Sequence, residues 1–204
     1  MSRAEGSGID LRQRRRSQTR AEIVDAALKL FEDRGVGGTT VEDIAAGAGV
    51  SPRTFYRLCG SKEQAVLDDD EIAAALGQLV ETIDGSMALR PQLVAFWRAR
   101  MADLEADAEG HHRYLRVRRL ISQEPALLAA ALRQEHDRDE AFVTALVRAT
   151  GYEKLQVRAL VEWLSVLIRL AVEEWLCVTG AGRQEDLQQV YDRALSALEG
   201  SFRI

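Results

Sequence analysis

The stretch Thr39-Thr-Val-Glu-Asp-Ile-Ala-Ala-Gly-Ala-Gly-Val-Ser-Pro-Arg-Thr-Phe-Tyr56 decides the fold. Thr39 and Thr40 each stand three residues ahead of a carboxylate, Glu42 and Asp43. These are overlapping capping boxes, in which the hydroxyl accepts from a backbone N–H and the acid reaches back to the cap. A short helix therefore starts here and buries Val41, Ile44 and Ala45. Gly49 supplies the left-handed backbone of a tight turn, Val50 plugs the core, and Ser51-Pro52 caps and opens a second short helix. Two short helices across a tight turn make a helix-turn-helix. The second helix presents Arg53, Thr54, Tyr56 and Arg57 outward while Phe55 turns back on the first, which suits a major groove about 12 Å wide. The competing reading, that Arg53 and Arg57 are only solvated charges, does not explain why cap, turn glycine, core plug and polar face all agree.

Upstream, Ile23, Ala27 and Leu30 recur at helical spacing, as do Val24, Leu28 and Phe31, with charged residues between them. That is an amphipathic helix, stopped near Arg34 by the glycines of Gly35-Val-Gly-Gly38. Ahead of it, Leu11 to Arg20 carries five arginines and no acid. The 204-residue chain has net charge -5, but up to Gly60 it holds ten basic against eight acidic residues, and beyond Gly60 seventeen against twenty-four. A positive footprint is judged per domain, so an acidic total does not argue against nucleic acid.

Downstream the periodicity stays helical, over about 62–84, 91–108, 111–122, 125–149, 153–178 and 184–200, with no useful run of period two. The fold class is all-α: an N-terminal three-helix helix-turn-helix domain followed by a helical body. The expected organisation is a flexible basic arm over 1–18, the reader over 19–64, and a ligand-binding and dimerisation domain over 65–204. Cys59 and Cys177 lack a zinc or redox spacing and read as reduced, buried thiols. No apolar run approaches the roughly 18 residues of a membrane span, and the arginine-rich start has no signal-peptide core, so a cytoplasmic location is expected.

These residues resemble the TetR family of bacterial transcriptional repressors. The likeness runs from about Arg20 to Lys62, through Ile23-Val-Asp-Ala-Ala-Leu-Lys-Leu-Phe31, Gly35, Thr39-Thr40, Asp43-Ile-Ala45, Ala48-Gly-Val-Ser51, Thr54-Phe-Tyr56 and Gly60-Ser-Lys-Glu63. Cys59 departs from it, standing where the family carries a bulky phenylalanine. The resemblance implies Thr40, Tyr56 and Lys62 on phosphates and Arg53 and Thr54 on base edges, with Arg20, Thr39, Ser51 and Arg57 completing the expected DNA-binding set. Ser51 is read chiefly as a cap. The arginine arm has two readings, a minor-groove contact or a disordered basic tail that adds only counterion-release affinity.

The resemblance further implies a homodimer on a palindromic double-stranded operator, released by a small-molecule effector that shifts the fourth helix and the spacing of the two readers. The 153–178 helix is apolar nearly all round and needs a second surface, so Leu164, Ile168, Trp175, Leu187, Tyr191 and Leu195 are candidates for the dimer interface. Phe96, Trp97, Arg100, Met101, Tyr114, Phe142 and Trp163 are candidate ligand contacts, although aromatic stripes at helical spacing are more often plain core. A pocket so lined suits a largely apolar effector, with Arg100 meeting an anionic group.

Catalysis is not supported. Glu109-Gly-His-His112 offers one Glu-x-x-His step where a di-iron bundle needs two and further acids, and the run Asp68-Asp-Asp-Glu71 reads as a solvated face. Neither metal nor cofactor is expected. The alternative function is a helical small-molecule or protein-binding module whose helix-turn-helix binds DNA weakly or without specificity.

Overall fold

A computed structural model describes residues 5–67, 70–106, 108–180 and 185–201. Among them lie α1 (Glu5–Arg34), α2 (Val41–Gly47), α3 (Pro52–Cys59), α4 (Lys62–Val66), α5 (Asp70–Thr82), α6 (Leu89–Ala106), α7 (Ala108–Gln123), α8 (Pro125–Thr150), α9 (Lys154–Gly180) and α10 (Leu187–Ser201), and no strand. The all-α class is as expected. Asp68, Asp69 and the side chains of Arg12, Arg14, Asp70, Glu109 and His111 lie outside the described residues. With them go most of the acidic run and of the Glu-x-x-His step.

The chain divides into two compact units, residues up to 68 with 116–133, and 69–115 with 134–204. In the first, α1 packs against α2, α3 and α4. Its apolar stripe, Ile23, Val24, Ala27, Leu28 and Phe31, is buried against Ile44, Ala45, Phe55, Ala65 and Val66. Each fully buried side chain of Leu, Ile or Phe size contributes about 1.5–3 kcal/mol. The end of α7 and the start of α8 belong to the same core through Leu120, Ile121 and Leu127. A boundary at 64/65 places residues 116–133 in the body, whereas here they group with the first unit.

Two elements differ from the sequence reading. Where an irregular arm is expected before residue 19, the backbone is helical from Glu5. Arginine and glutamine are strong helix formers, and nothing between Ile9 and Arg34 breaks the run. The helix expected over 62–84 stops at Val66, and Leu67 leaves it at φ -99°, ψ 62°. The three aspartates that follow are poor helix-interior residues. Of the two cysteines, Cys59 is buried but Cys177 is exposed on α9, because that helix turns this position outward.

In the second unit α6, α9 and α10 pack together. Trp175 Nε1 donates to the Glu185 carbonyl at 3.0 Å, and the Tyr191 hydroxyl donates to the Val94 carbonyl at 3.2 Å. Both side chains are about fully buried, and burial raises the Tyr191 phenol above its ordinary value. Arg98 clasps Asp192 outside the core with Nε and Nη2.

Candidate nucleic-acid interface

The reader is assembled by local chemistry at each helix end. Thr40 caps α2: its hydroxyl accepts from the Asp43 N–H at 3.1 Å, and Asp43 accepts from the Thr40 N–H at 3.2 Å. The Thr40 hydroxyl proton also goes to Asp43, at 2.8 Å. These bonds, the hydroxyl's first and then the backbone's, hold the Asp43 carboxyl below its usual value, assisted by Arg34 at 3.7 Å. Gly49 takes φ 66° at the turn, where a side chain would be strained. Val50 N–H returns to the Ala45 carbonyl at 2.9 Å. Ser51 caps α3 by accepting from the Thr54 N–H at 3.1 Å, with Pro52 at the first helical position. Gly60 closes α3 at φ 73°.

This frame fixes which face of α3 is free. Phe55 is fully buried and Cys59 nearly so, whereas Arg53, Tyr56 and Arg57 are exposed. Tyr56 is 53% exposed, unusual for so large a ring, and stands edge-on to Phe55. Thr54 is half-buried beside the cap, its hydroxyl 3.0 Å from that of Ser51. An arginine, a phenol and a second arginine on one outward helix face supply hydrogen-bond donors for base edges and phosphates.

Three of the residues expected on DNA have other work here. Thr39 is 1% exposed, and its hydroxyl points to the Gly35 and Leu30 carbonyls at 2.9 and 3.3 Å. It is a buried brace between the end of α1 and the start of α2, not a surface contact. Lys62 Nζ donates to the Val36 and Thr39 carbonyls at 2.6 and 2.9 Å, committing two of its three protons to the loop before α2. Arg20 Nη1 donates to the Leu58 carbonyl at 2.6 Å, tying α1 to the end of α3. Residue type alone does not distinguish a polar group aimed at phosphate from one aimed at a carbonyl.

The structure adds three residues of α1 outside the expected DNA-binding set, two of them, Arg15 and Arg16, from the segment expected to be an arm. Arg15, Arg16 and Thr19 of α1 line a cleft of about 440 Å³ together with Thr54, Arg57 and Leu58 of α3. Their spacing at i, i+1 and i+4 was the available signal, once α1 is extended backward through them.

The body residues are placed as follows. Trp97, Met101 and Phe142 are buried in the second core, with Phe96, Tyr114 and Trp163 packed against it. Arg90 lies 4.8 Å over the Trp163 ring. Arg100 donates Nη2 to Glu71 at 3.1 Å, while its Nε is buried without a hydrogen-bond partner among the described residues. Leu164, Trp175, Leu187 and Tyr191, expected at a dimer interface, are instead interior to one chain, each no more than 2% exposed. Ile168 and Leu195 are half-buried against the same core. On a helix apolar all round, periodicity does not say which face is core.

A capped helix-turn-helix with a cationic outer helix, borne on an all-α chain, is the architecture of a bacterial DNA-binding regulator. The family described as bacterial regulatory proteins, tetR family, matches residues 23–67. The chain is 30% identical to MftR, the mycofactocin biosynthesis transcriptional regulator of Mycobacterium tuberculosis, over 88% of this chain and 90% of that one. It is 29% identical to the HTH-type transcriptional regulator TcmR of Streptomyces glaucescens, over 97% and 90%. Among solved structures, the Thermus thermophilus repressor FadR, crystallised with lauroyl-CoA, shares the fold at TM-score 0.51 and 22% identity, over 88% of this chain and 92% of that one. The chain belongs to the TetR family of bacterial regulatory proteins.

Proposed function

We propose that this protein is a sequence-specific transcriptional repressor that binds a palindromic DNA operator as a homodimer and is released by a small, largely apolar ligand. The observation that carries the reading is α3. Its inward face is fixed by Phe55 and Cys59, and it leaves Arg53, Tyr56 and Arg57 outward. Arg53 is the principal base reader, because a guanidinium bonds a guanine edge through two donors. Tyr56 and Arg57 serve the flanking phosphates, Ser51 and Thr40 hold the two helix starts, and Lys62 and Arg20 keep the frame in register.

The effector enters the body. FadR, of the same fold, holds lauroyl-CoA, and the side chains assigned to contact the effector are Phe96, Trp97, Met101, Tyr114, Phe142 and Trp163, which pack in or against the second core. The orphaned Arg100 Nε favours a ligand that carries an acceptor, since a buried donor left unpaired costs about 1–3 kcal/mol. A second copy pairs through the outward side of α9, where Leu155 and Leu170 are 67% and 44% exposed and Val166 is half-buried.

The test is a gel shift on DNA flanking the protein's own gene, with salt titration and Arg53→Ala. Loss of a bidentate base contact worth about 1–3 kcal/mol weakens specific binding roughly 5- to 150-fold. Equal affinity for scrambled DNA would sink the claim of specificity. Light scattering at micromolar concentration should find a dimer, and Leu170→Glu should shift it toward monomer. A wild-type monomer would refute the pairing.

A further inference from the structure

The helical start of α1 builds a second cationic wall beside the reading helix. Arg15, Arg16 and Thr19 face Thr54, Arg57 and Leu58 across the cleft of about 440 Å³. Thr54 and Arg57 are also residues of the reading helix, so the cleft runs into the DNA-facing surface proposed above. Its walls are held together by the Arg20 bond to the Leu58 carbonyl, one helical turn beyond Arg16. Arg15, Arg16 and Arg57 are all exposed, and none has an ion-pair partner among the described residues. An α-helix with its side chains is about 10–12 Å across, whereas the minor groove is about 6 Å wide, so this segment does not enter the minor groove as a thin arm would.

We propose that the cleft grips the phosphate backbone of the duplex beside the base pairs read by α3, with Arg15 and Arg16 neutralising phosphates outside the reader's own footprint. The inference rests on the reading that α3 engages DNA. A polyanion fits better than a small free anion. Exposed guanidiniums gain little from a single counter-charge in water, and no lining residue of the cleft is buried to orient a small ligand. A duplex instead presents one charge per roughly 1.7 Å of its axis and returns condensed counterions for each phosphate neutralised.

The experiment measures fluorescence anisotropy of the full chain on a labelled duplex taken from the DNA flanking its gene, and on a scrambled duplex, across a KCl series. Each phosphate neutralised adds about 0.9 to the slope of log K against log salt. Arg15→Gln with Arg16→Gln should therefore reduce the slope by about 1.8 on both duplexes, and Arg57→Gln by about 0.9. Arg148→Gln, an exposed position in the other unit, should leave it unchanged. The cleft proposal is overturned if the doubly substituted chain keeps wild-type helicity and the wild-type slope. It is equally overturned if calorimetry finds saturable binding of inorganic phosphate that Arg57→Gln abolishes while the DNA slope stays put. Wild-type failure to bind either duplex defeats the DNA reading itself, whereas wild-type binding with an unaltered double-variant slope defeats only the cleft.

Discussion

Replacing Thr39 by valine separates a brace from a DNA contact at one position. The side chain is 1% exposed, and its single hydroxyl proton is shared between the Gly35 carbonyl at 2.9 Å and the Leu30 carbonyl at 3.3 Å. One proton makes one hydrogen bond's worth of stabilisation, however many acceptors lie in range, and a net bond contributes about 0.5–1.5 kcal/mol. Valine preserves the volume and the β-branching, so neither a cavity nor a backbone change is added. The carbonyl left behind loses its buried donor, while the new methyl regains a fraction through apolar burial. The expected loss is about 1 kcal/mol, which for a chain of 204 residues lowers the melting temperature by about 2–4 °C. Thermal denaturation of the full chain by circular dichroism measures it, with DNA anisotropy across a salt series run in parallel. Affinity and salt slope should stay at their wild-type values below the transition. An unchanged melting temperature with weakened, less salt-dependent binding would show that the hydroxyl serves phosphate, and the buried-brace assignment would be wrong.

Two other perturbations follow from particular contacts. Arg116 donates Nε and Nη2 to the two oxygens of Glu32 at 2.8 and 2.6 Å, and these bonds raise its guanidinium pKa. Both side chains are partly exposed, so a double-mutant cycle with Arg116→Met and Glu32→Gln should return a coupling of about 1 kcal/mol or less, shrinking in high salt. Zero coupling at low salt would assign the end of α7 to its apolar contacts, Val117, Leu120 and Ile121. Asp43 has its folded pKa below the unfolded value. Its capping contribution is therefore present above about pH 4 and is lost as the pH falls through the folded value. The stability gap between wild type and Asp43→Asn should narrow in acid, and a gap of constant size from neutral pH downward would contradict the capping role.

The helix-turn-helix is legible because its signals are local. A hydroxyl before a carboxylate, a glycine forced to positive φ and a proline at a helix start each act within a few residues. Thr40, Gly49, Ser51 and Pro52 occupy the structural positions that their chemistry predicts. Direction is less legible than position. Lys62 and Thr39 are polar residues in the right segment, but their protons go to carbonyls brought near by the turn of the chain, which spacing does not encode. On α9 the apolar residues surround the helix, so Leu164 and Trp175 point inward and Leu155 and Leu170 outward with no periodic clue to separate them. The run around Arg15 reads as an arm from its clustered charge, although the same residues are good helix formers and continue α1. Residues 116–133 pair with a core that begins ninety-odd positions earlier, a contact that only folding discloses.

That pairing governs how the protein can be cut. A fragment ending near residue 68 would keep every helix of the DNA-reading motif yet lose Leu120, Ile121 and Leu127, whose buried faces form part of the reader's core. The underside of α1 would then be laid open to water, and the excised piece would tend to aggregate or swap segments with its neighbours. The reader is encoded in two separated stretches of gene, so recombination that exchanges only the N-terminal third between relatives joins core halves from different chains, however well the recognition helix is preserved.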